Sequence, residues 1–203
     1  MRTFRQFFKE QQTRKAIVFA YGRFNPPTTA HNMLIEAVVN AAKKHSADFL
    51  IVPSHSVKPL DKNPLNPNQK IKILKYMTPN GRVGTFGTTY IEALQKLQEM
   101  GYTDVIQVAG SDRISEFSFL VNKYNGKPTK TGDVVFNFNS FEFVSAGERD
   151  PDSEGMSGMS ASKLRNLATT GQIDKFKQGM ANSVPDEIKQ QTYDIIRKIL
   201  KIQ

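Results

Sequence analysis

Residues 16–31 read AIVFAYGRFNPPTTAH, and this stretch decides the fold. Residues 16–21 form a continuous apolar run of strand length. Gly22 allows a tight turn as the chain leaves it, and the Pro/Thr segment leads into a helical period over 32–44. Strand, loop and helix then recur along the chain. Residues 48–53 (DFLIVP) repeat the strand, and a long polar loop over 54–66, rich in Lys, Pro and Asn, exceeds what a simple connector needs. Asn66 ahead of Pro67 signals a helix start, with the helix running to Met77. Residues 82–86 read as a short strand. Thr88 and Thr89 cap an amphipathic helix carrying Ile91, Leu94, Leu97 and Met100, which Gly101 stops. Residues 105–109 are the next strand. Residues 134–138 and 141–144 suggest a further strand with an edge hairpin, and 145–158 a polar loop. Helices resume at Ser160 and end with an amphipathic one over 185–200. The alternation predicts an α/β fold, a parallel sheet with helices on both faces, whose ligands sit beyond the carboxyl ends of the strands.

The composition sets bounds on function. At 203 residues, with 38% apolar and 23% charged residues, the chain is the size of one ordinary globular domain, here 15–203, preceded by a short segment over 1–14. The absence of cysteine excludes a disulfide framework, a thiolate zinc site and a cysteine nucleophile, and three histidines leave little for a histidine-rich metal centre. No apolar run is long enough to span a bilayer, so a soluble, cytoplasmic protein is expected. The net charge of +9 is concentrated before residue 81, which favours an anionic partner. A nucleic acid is the weaker choice, since no recognition helix or stacking motif accompanies the charge.

Three segments carry chemistry. In the first, residues 22–31, the loop is not a P-loop, because the Gly-rich spacing ending in Lys-Ser/Thr is missing. His31 falls in the first turn of the helix, beside backbone N–H groups and the positive end of the helix dipole, where an imidazole can present a donor to a phosphate. In the second, residues 158–165 (GMSASKLR), Ser160 and Ser162 lie at a helix start, Arg165 follows one turn on as a planar fork for phosphate oxygens, and Lys163 assists. In the third, Gly110 closes a strand and lets backbone approach a ligand, with Ser111, Asp112 and Arg113 after it.

Strand, then GRFNPPTTAH, then an apolar helix resembles the first signature of the HxGH-type nucleotidyltransferase superfamily, which is built on a Rossmann-like sheet. Thr28 stands in the place of the first histidine, as in phosphopantetheine adenylyltransferases, and Ala30 in that of the usual glycine. The 158–165 segment resembles the second signature, and Gly110-Ser111-Asp112 the family's Gly-Ser/Ala-Asp segment. The resemblance implies transfer of a nucleotidyl, first of all adenylyl, group from a nucleoside triphosphate to a phosphorylated acceptor. An NMN-type nucleotide is the leading acceptor, and Mg²⁺ is carried in with the triphosphate, ATP being the expected substrate. It also implies that His31, Arg165 and one of Lys58 or Lys62 face the phosphates. Gly22, Arg23, Phe24, Asn25, Thr28, Thr29, Gly110, Ser111, Asp112, Arg113, Met159, Ser160, Ser162 and Lys163 would bind the nucleotide. Oligomers are common in the family, so a homo-oligomer is an expected partner state.

GRFNPPTTAH also resembles the motif in nucleotidyltransferases of large tailed bacteriophages. Residues 1–10, MRTFRQFFKE, resemble the capsid-targeting peptides of T-even-like phages, with Phe8-Lys9-Glu10 approximating a trimming site. Read on its own, the segment over 1–14 is a short basic amphipathic docking helix, with Phe4, Phe7, Phe8 and Gln11 at helical spacing. An alternative to catalysis is therefore a nucleotide-binding or virion-associated structural protein that kept the fold and weakened the chemistry.

Overall fold

The computed structural model describes residues 14–147 and 159–201. All but the last residue of the helix expected over 1–14, and most of the loop expected over 145–158, lie outside these residues. Four strands, β1 (Ala16–Gly22), β2 (Asp48–Pro53), β3 (Asp104–Ala109) and β4 (Ser140–Ser145), form one sheet in the order β2-β1-β3-β4. Every neighbour is parallel, with Phe19 opposite Leu50 on one side and Gln107 on the other. The fold is the Rossmann-like α/β arrangement that the alternation predicts.

Apolar residues on successive strand positions point to opposite faces and build two cores. Val18, Ala20, Ile51, Ile106 and Val108 pack against α1 (Ala30–His45), α2 (Pro67–Met77), α5 (Ala161–Thr169), α6 (Ile173–Gln178) and α7 (Asp186–Lys201). Ile17, Phe19, Val52, Val105 and Ala109 pack against α3 (Tyr90–Glu99) and α4 (Ser111–Tyr124). Two starts are closed by capping boxes. Asn66 accepts from the Gln69 N–H while Gln69 reaches back to Asn66, and Thr89 and Glu92 do the same.

Two expectations are corrected. The strand over 82–86 is reduced to a single parallel bridge between Val83 and Ile51, held by bonds from Ile51 N to Arg82 O and from Gly84 N to Ile51 O. Gly87, at φ +98°, turns the chain away before a ladder can extend. Residues 134–138 form no edge hairpin. Phe136 and Phe138 are buried, but their backbone bonds go to the turn after α4, where Gly126 N donates to Phe136 O and Phe138 N donates to the Asn125 side chain. One element is missing from the sequence reading: α4 fills the crossover from β3 to β4, with Ile114, Phe117, Val121 and Tyr124 on its inner face.

Asp48, at the start of β2, ties the sheet's edge to the turn after α3. The buried Tyr102 hydroxyl donates to Asp48 Oδ2 at 2.8 Å, and Arg82 lies 3.3 Å from Oδ1. The tyrosine bond is the main reason the Asp48 carboxyl sits below its usual range, ahead of the opposing effect of burial and the help of Arg82. A carboxylate with a depressed folded pKa stabilises above its unfolded pKa and loses that contribution as pH falls through the folded one. Since Asp48 is 40% exposed, screening trims the effect. Tyr102→Phe is expected to cost about 1 kcal/mol at pH 7, with the gap to the parent closing below about pH 4. Urea denaturation at both pH values measures this, and a gap unchanged by acid would show that the hydroxyl acts through packing instead.

Candidate functional site

At the carboxyl ends of β1, β2 and β3 lies a cavity of about 820 Å³, where the sheet's topology places a ligand. Its wall takes Gly22, Arg23, Phe24 and Asn25 from the loop after β1, and Ala30 and His31 from the start of α1. Ser54, Ser56 and Lys62 come from the loop after β2, and Gly110, Asp112 and Arg113 from the β3–α4 junction. Ser160, Ser162 and Arg165 come from α5.

The loop after β1 is held in an uncommon path. Phe24 has φ +46°, which folds its ring back over Gly22 and brings it 4.8 Å from the His31 ring. A Cβ on Gly22 would stand 2.9 Å from the Phe24 ring, so only glycine permits that packing. The peptide bond between Asn25 and Pro26 is cis. Asn25 is 1% exposed and clamps the loop to the far end of the 54–66 loop, donating from Nδ2 to Leu65 O at 2.9 Å and accepting from Leu65 N at 3.0 Å.

His31 is oriented by Thr28. The Thr28 backbone N–H donates to Nδ1 at 2.9 Å, and Thr28 Oγ1 lies 2.9 Å from the same nitrogen. An Nδ1 that accepts leaves the proton on Nε2, so the ring is a donor at that atom. Thr28 is wholly buried and outside the cavity wall. It therefore sets the tautomer, where the sequence reading had it binding the nucleotide. Thr29 also lies behind the wall, and its N–H donates to Gly179 O at 3.0 Å. A Cβ on Gly179 would meet Leu164 at 2.7 Å and Met159 at 3.0 Å, so Met159 packs beneath the site and does not line it.

The second segment meets the first here. Arg165, 140 residues from Asn25, donates from Nη1 to Asn25 O at 2.7 Å and from Nη2 to Ser162 Oγ at 3.0 Å. Ser160 caps α5 by accepting from Lys163 N at 3.1 Å. Lys163 is exposed and, like Ser111, does not line the cavity. Neither α1 nor α5 has a carboxylate in its own first turn, and the positive ends of both helices contribute to the cavity wall. Burial, and next the neighbouring Arg23, lower the Arg165 pKa, with Asp61 opposing them.

Of the two loop lysines, Lys62 lines the cavity and Lys58 does not. Asn63, 3% exposed, explains the split: its Nδ2 donates to the carbonyls of Lys58 and Pro59, tying a knot that holds Lys62 against the wall. Sequence reasoning missed Ser54, Ser56, Tyr21 and Phe117 in the wall. The first two follow β2 directly, and the rule about strand ends could have found them. Tyr21 and Phe117 stand edge to face at 6.3 Å, and burial, then Glu92, pushes the Tyr21 hydroxyl up to about 12.

A parallel sheet with a cavity at its switch point, an Nε2 donor at the first helix and an arginine from another helix, this one serine-capped, make up the pattern of an HxGH-type nucleotidyltransferase. The chain belongs to the cytidylyltransferase-like family, whose model matches residues 19–167. Among solved structures the chain is similar to Plasmodium falciparum nicotinic acid mononucleotide adenylyltransferase complexed with APC, at 17% identity over 90% of this chain and 98% of that one, TM-score 0.53. It is also similar to Thermotoga maritima TmcAL bound with alpha-thio ATP, at 10% identity over 92% of this chain and 56% of that one, TM-score 0.52. Both likenesses are of fold. No curated protein sequence matches the chain. No helix among the described residues is long and apolar enough to cross a membrane.

Proposed function

We propose that this chain transfers an adenylyl group from ATP to a phosphorylated small-molecule acceptor, an NMN-type mononucleotide first, and releases pyrophosphate. The observation that carries the reading is the bond from Arg165 to the Asn25 carbonyl, which ties the two signature segments to one cavity wall. An oxygen of the acceptor phosphate attacks the α-phosphorus, a new P–O bond forms, the bond to the β-phosphate bridging oxygen breaks, and pyrophosphate carries the electron pair away. Mg²⁺ enters as part of the triphosphate substrate. Such a step asks for positioning and for donors to spread negative charge, not for a covalent intermediate. The His31 Nε2–H, Arg165 and Lys62 supply donors, and Arg23, Arg113 and the α5 start hold the remaining phosphates and sugar. The cavity's volume lies in the upper part of the range for small-molecule sites, and the Tyr21–Phe117 wall suits a planar acceptor base.

The test is pyrophosphate release with ATP or CTP, Mg²⁺ and a panel of phosphorylated acceptors. Sustained release with ATP and a mononucleotide is expected, and nucleotide binding without release from any acceptor overturns the proposal. In that assay Lys62→Ala should raise the acceptor KM about fivefold, an exposed cation being worth about 1 kcal/mol, while Lys58→Ala should leave it within about twofold because that side chain faces solvent. Equal effects would show that neither lysine meets the acceptor. A virion-associated binding role is the second reading. It rests on the MRTFRQFFKE pattern, which lies outside the described residues.

A further inference from the structure

Lys70 has no part in the mechanism above, yet it is a fully buried charge. It lies in the second turn of α2 at 0% exposure. Burying an ammonium is costly unless a neighbour neutralises it. Among the described residues its Nζ has no ion-pair partner, and the bond it donates goes to the backbone carbonyl of Ser54. The charge that bears on it is that of Arg23, which has the same sign. Ser54 itself is pinned at the strand ends by a 2.7 Å bond from its N–H to Gly22 O. It is 5% exposed, it lines the cavity, and its Oγ is buried without a hydrogen-bond partner. With Arg23 and Lys62 in the wall and Lys70 beneath it, the β2 side of the cavity thus holds three cations and an idle hydroxyl. An anion is the group that would complete it.

We infer that Ser54 and Lys70 form the subsite for the acceptor's phosphate: Ser54 Oγ donates to a phosphate oxygen, and the Lys70 ammonium, held beneath on the Ser54 carbonyl, balances the charge. Lys70 is a positioning residue, since it acts through Ser54 and from below the floor. The inference rests on the reading of the cavity as a phosphate-handling site and names which wall takes the acceptor.

The arrangement couples acceptor binding to protonation. Burial first, and Arg23 second, push the Lys70 pKa down to about 8. An anion on Ser54 favours the charged form, so binding raises that pKa and takes up a proton, and affinity falls as pH rises through about 8. The other charged and titratable groups that bear on this side are Arg23, whose charge acts on Lys70, and His55, which burial first and Lys70 second hold below the usual imidazole range, with Glu92 acting on it in the opposite direction.

The experiment uses the full chain carrying ¹³C-labelled lysine, titrated by NMR with and without ribose 5-phosphate. That ester, with a second ionisation near 6, is already fully ionised at pH 8. One lysine should titrate near pH 8, its signal should vanish in Lys70→Met, and the probe should move its midpoint up by about one unit. Lys70→Met should weaken the probe's Kd about tenfold, and Ser54→Ala should weaken it while leaving the midpoint of the free protein in place. Should Lys70→Met fail to fold, the parent titration and Ser54→Ala still decide. A probe that binds without moving the midpoint overturns the subsite and leaves the transferase reading standing. Failure of both ribose 5-phosphate and ATP to bind overturns the two together.

Discussion

Replacing His31 with alanine is expected to lower kcat about 10²- to 10³-fold, the cost of removing one preorganised donor to developing charge, about 3 to 4 kcal/mol. The size follows from how fully the ring is committed. Two contacts from Thr28 fix Nδ1 as acceptor, Phe24 fixes the ring plane, and the ring lies in the cavity wall with 7% exposure. A donor so held has little reorganisation to undergo when the α-phosphorus becomes more negative. The loss should therefore fall on kcat, with the KM for ATP changing about threefold or less, because the ground-state triphosphate keeps Arg165 and the helix ends. The alanine variant also leaves the Thr28 N–H without its acceptor in a buried place, so its stability should fall by about 1 to 2 kcal/mol. Steady-state kinetics beside a denaturant curve separates the two effects. A variant that loses the stability and keeps kcat would make His31 a loop anchor and would remove its place in the chemistry.

The parts of this site that were legible in the sequence share a physical property: they are set by local pattern. The β1 run, the α2 and α3 starts with their capping side chains, and the two signature segments each declare themselves within a dozen residues. What the sequence hid depends on contacts across the chain. Thr28 reads as a nucleotide ligand by position, but only the fold shows it buried behind His31 with its N–H and its hydroxyl on Nδ1. Lys58 and Lys62 are alike in composition and spacing, and the knot tied by Asn63 separates them. Residues 134–138 carry the aromatic and β-branched character of a strand, yet their backbone partners are the turn after α4, so propensity there describes a buried aromatic cluster instead. Nothing in the sequence singles out Lys70, because a helical period does not reveal that its face meets the loop after β2.

Arg165→Lys should lower kcat/KM for ATP about 10²-fold although the charge is kept. In the parent the guanidinium spans three places at once: Nη1 holds the Asn25 carbonyl, Nη2 holds Ser162 Oγ, and the group lines the cavity. A planar fork can hold two protein acceptors and still present N–H groups to a phosphate, whereas an ammonium on a flexible stem is a point charge that must choose. If it follows the phosphate, the Asn25 carbonyl loses its partner and the loop that orients His31 through Thr28 loosens. If it stays on the carbonyl, the triphosphate loses its fork. Either choice costs about 2 to 3 kcal/mol in transition-state binding, the worth of one or two charge-assisted bonds. The two are distinguishable by pairing the variant with His31→Ala. Loss through a loosened loop predicts that the double variant is little worse than His31→Ala alone, since the imidazole is what the loop positions, while loss of the fork predicts effects that multiply. Arg165→Lys within about threefold of the parent in kcat/KM would show that the guanidinium is structural, and the convergence of the two signature segments would then stabilise the fold without gripping a triphosphate.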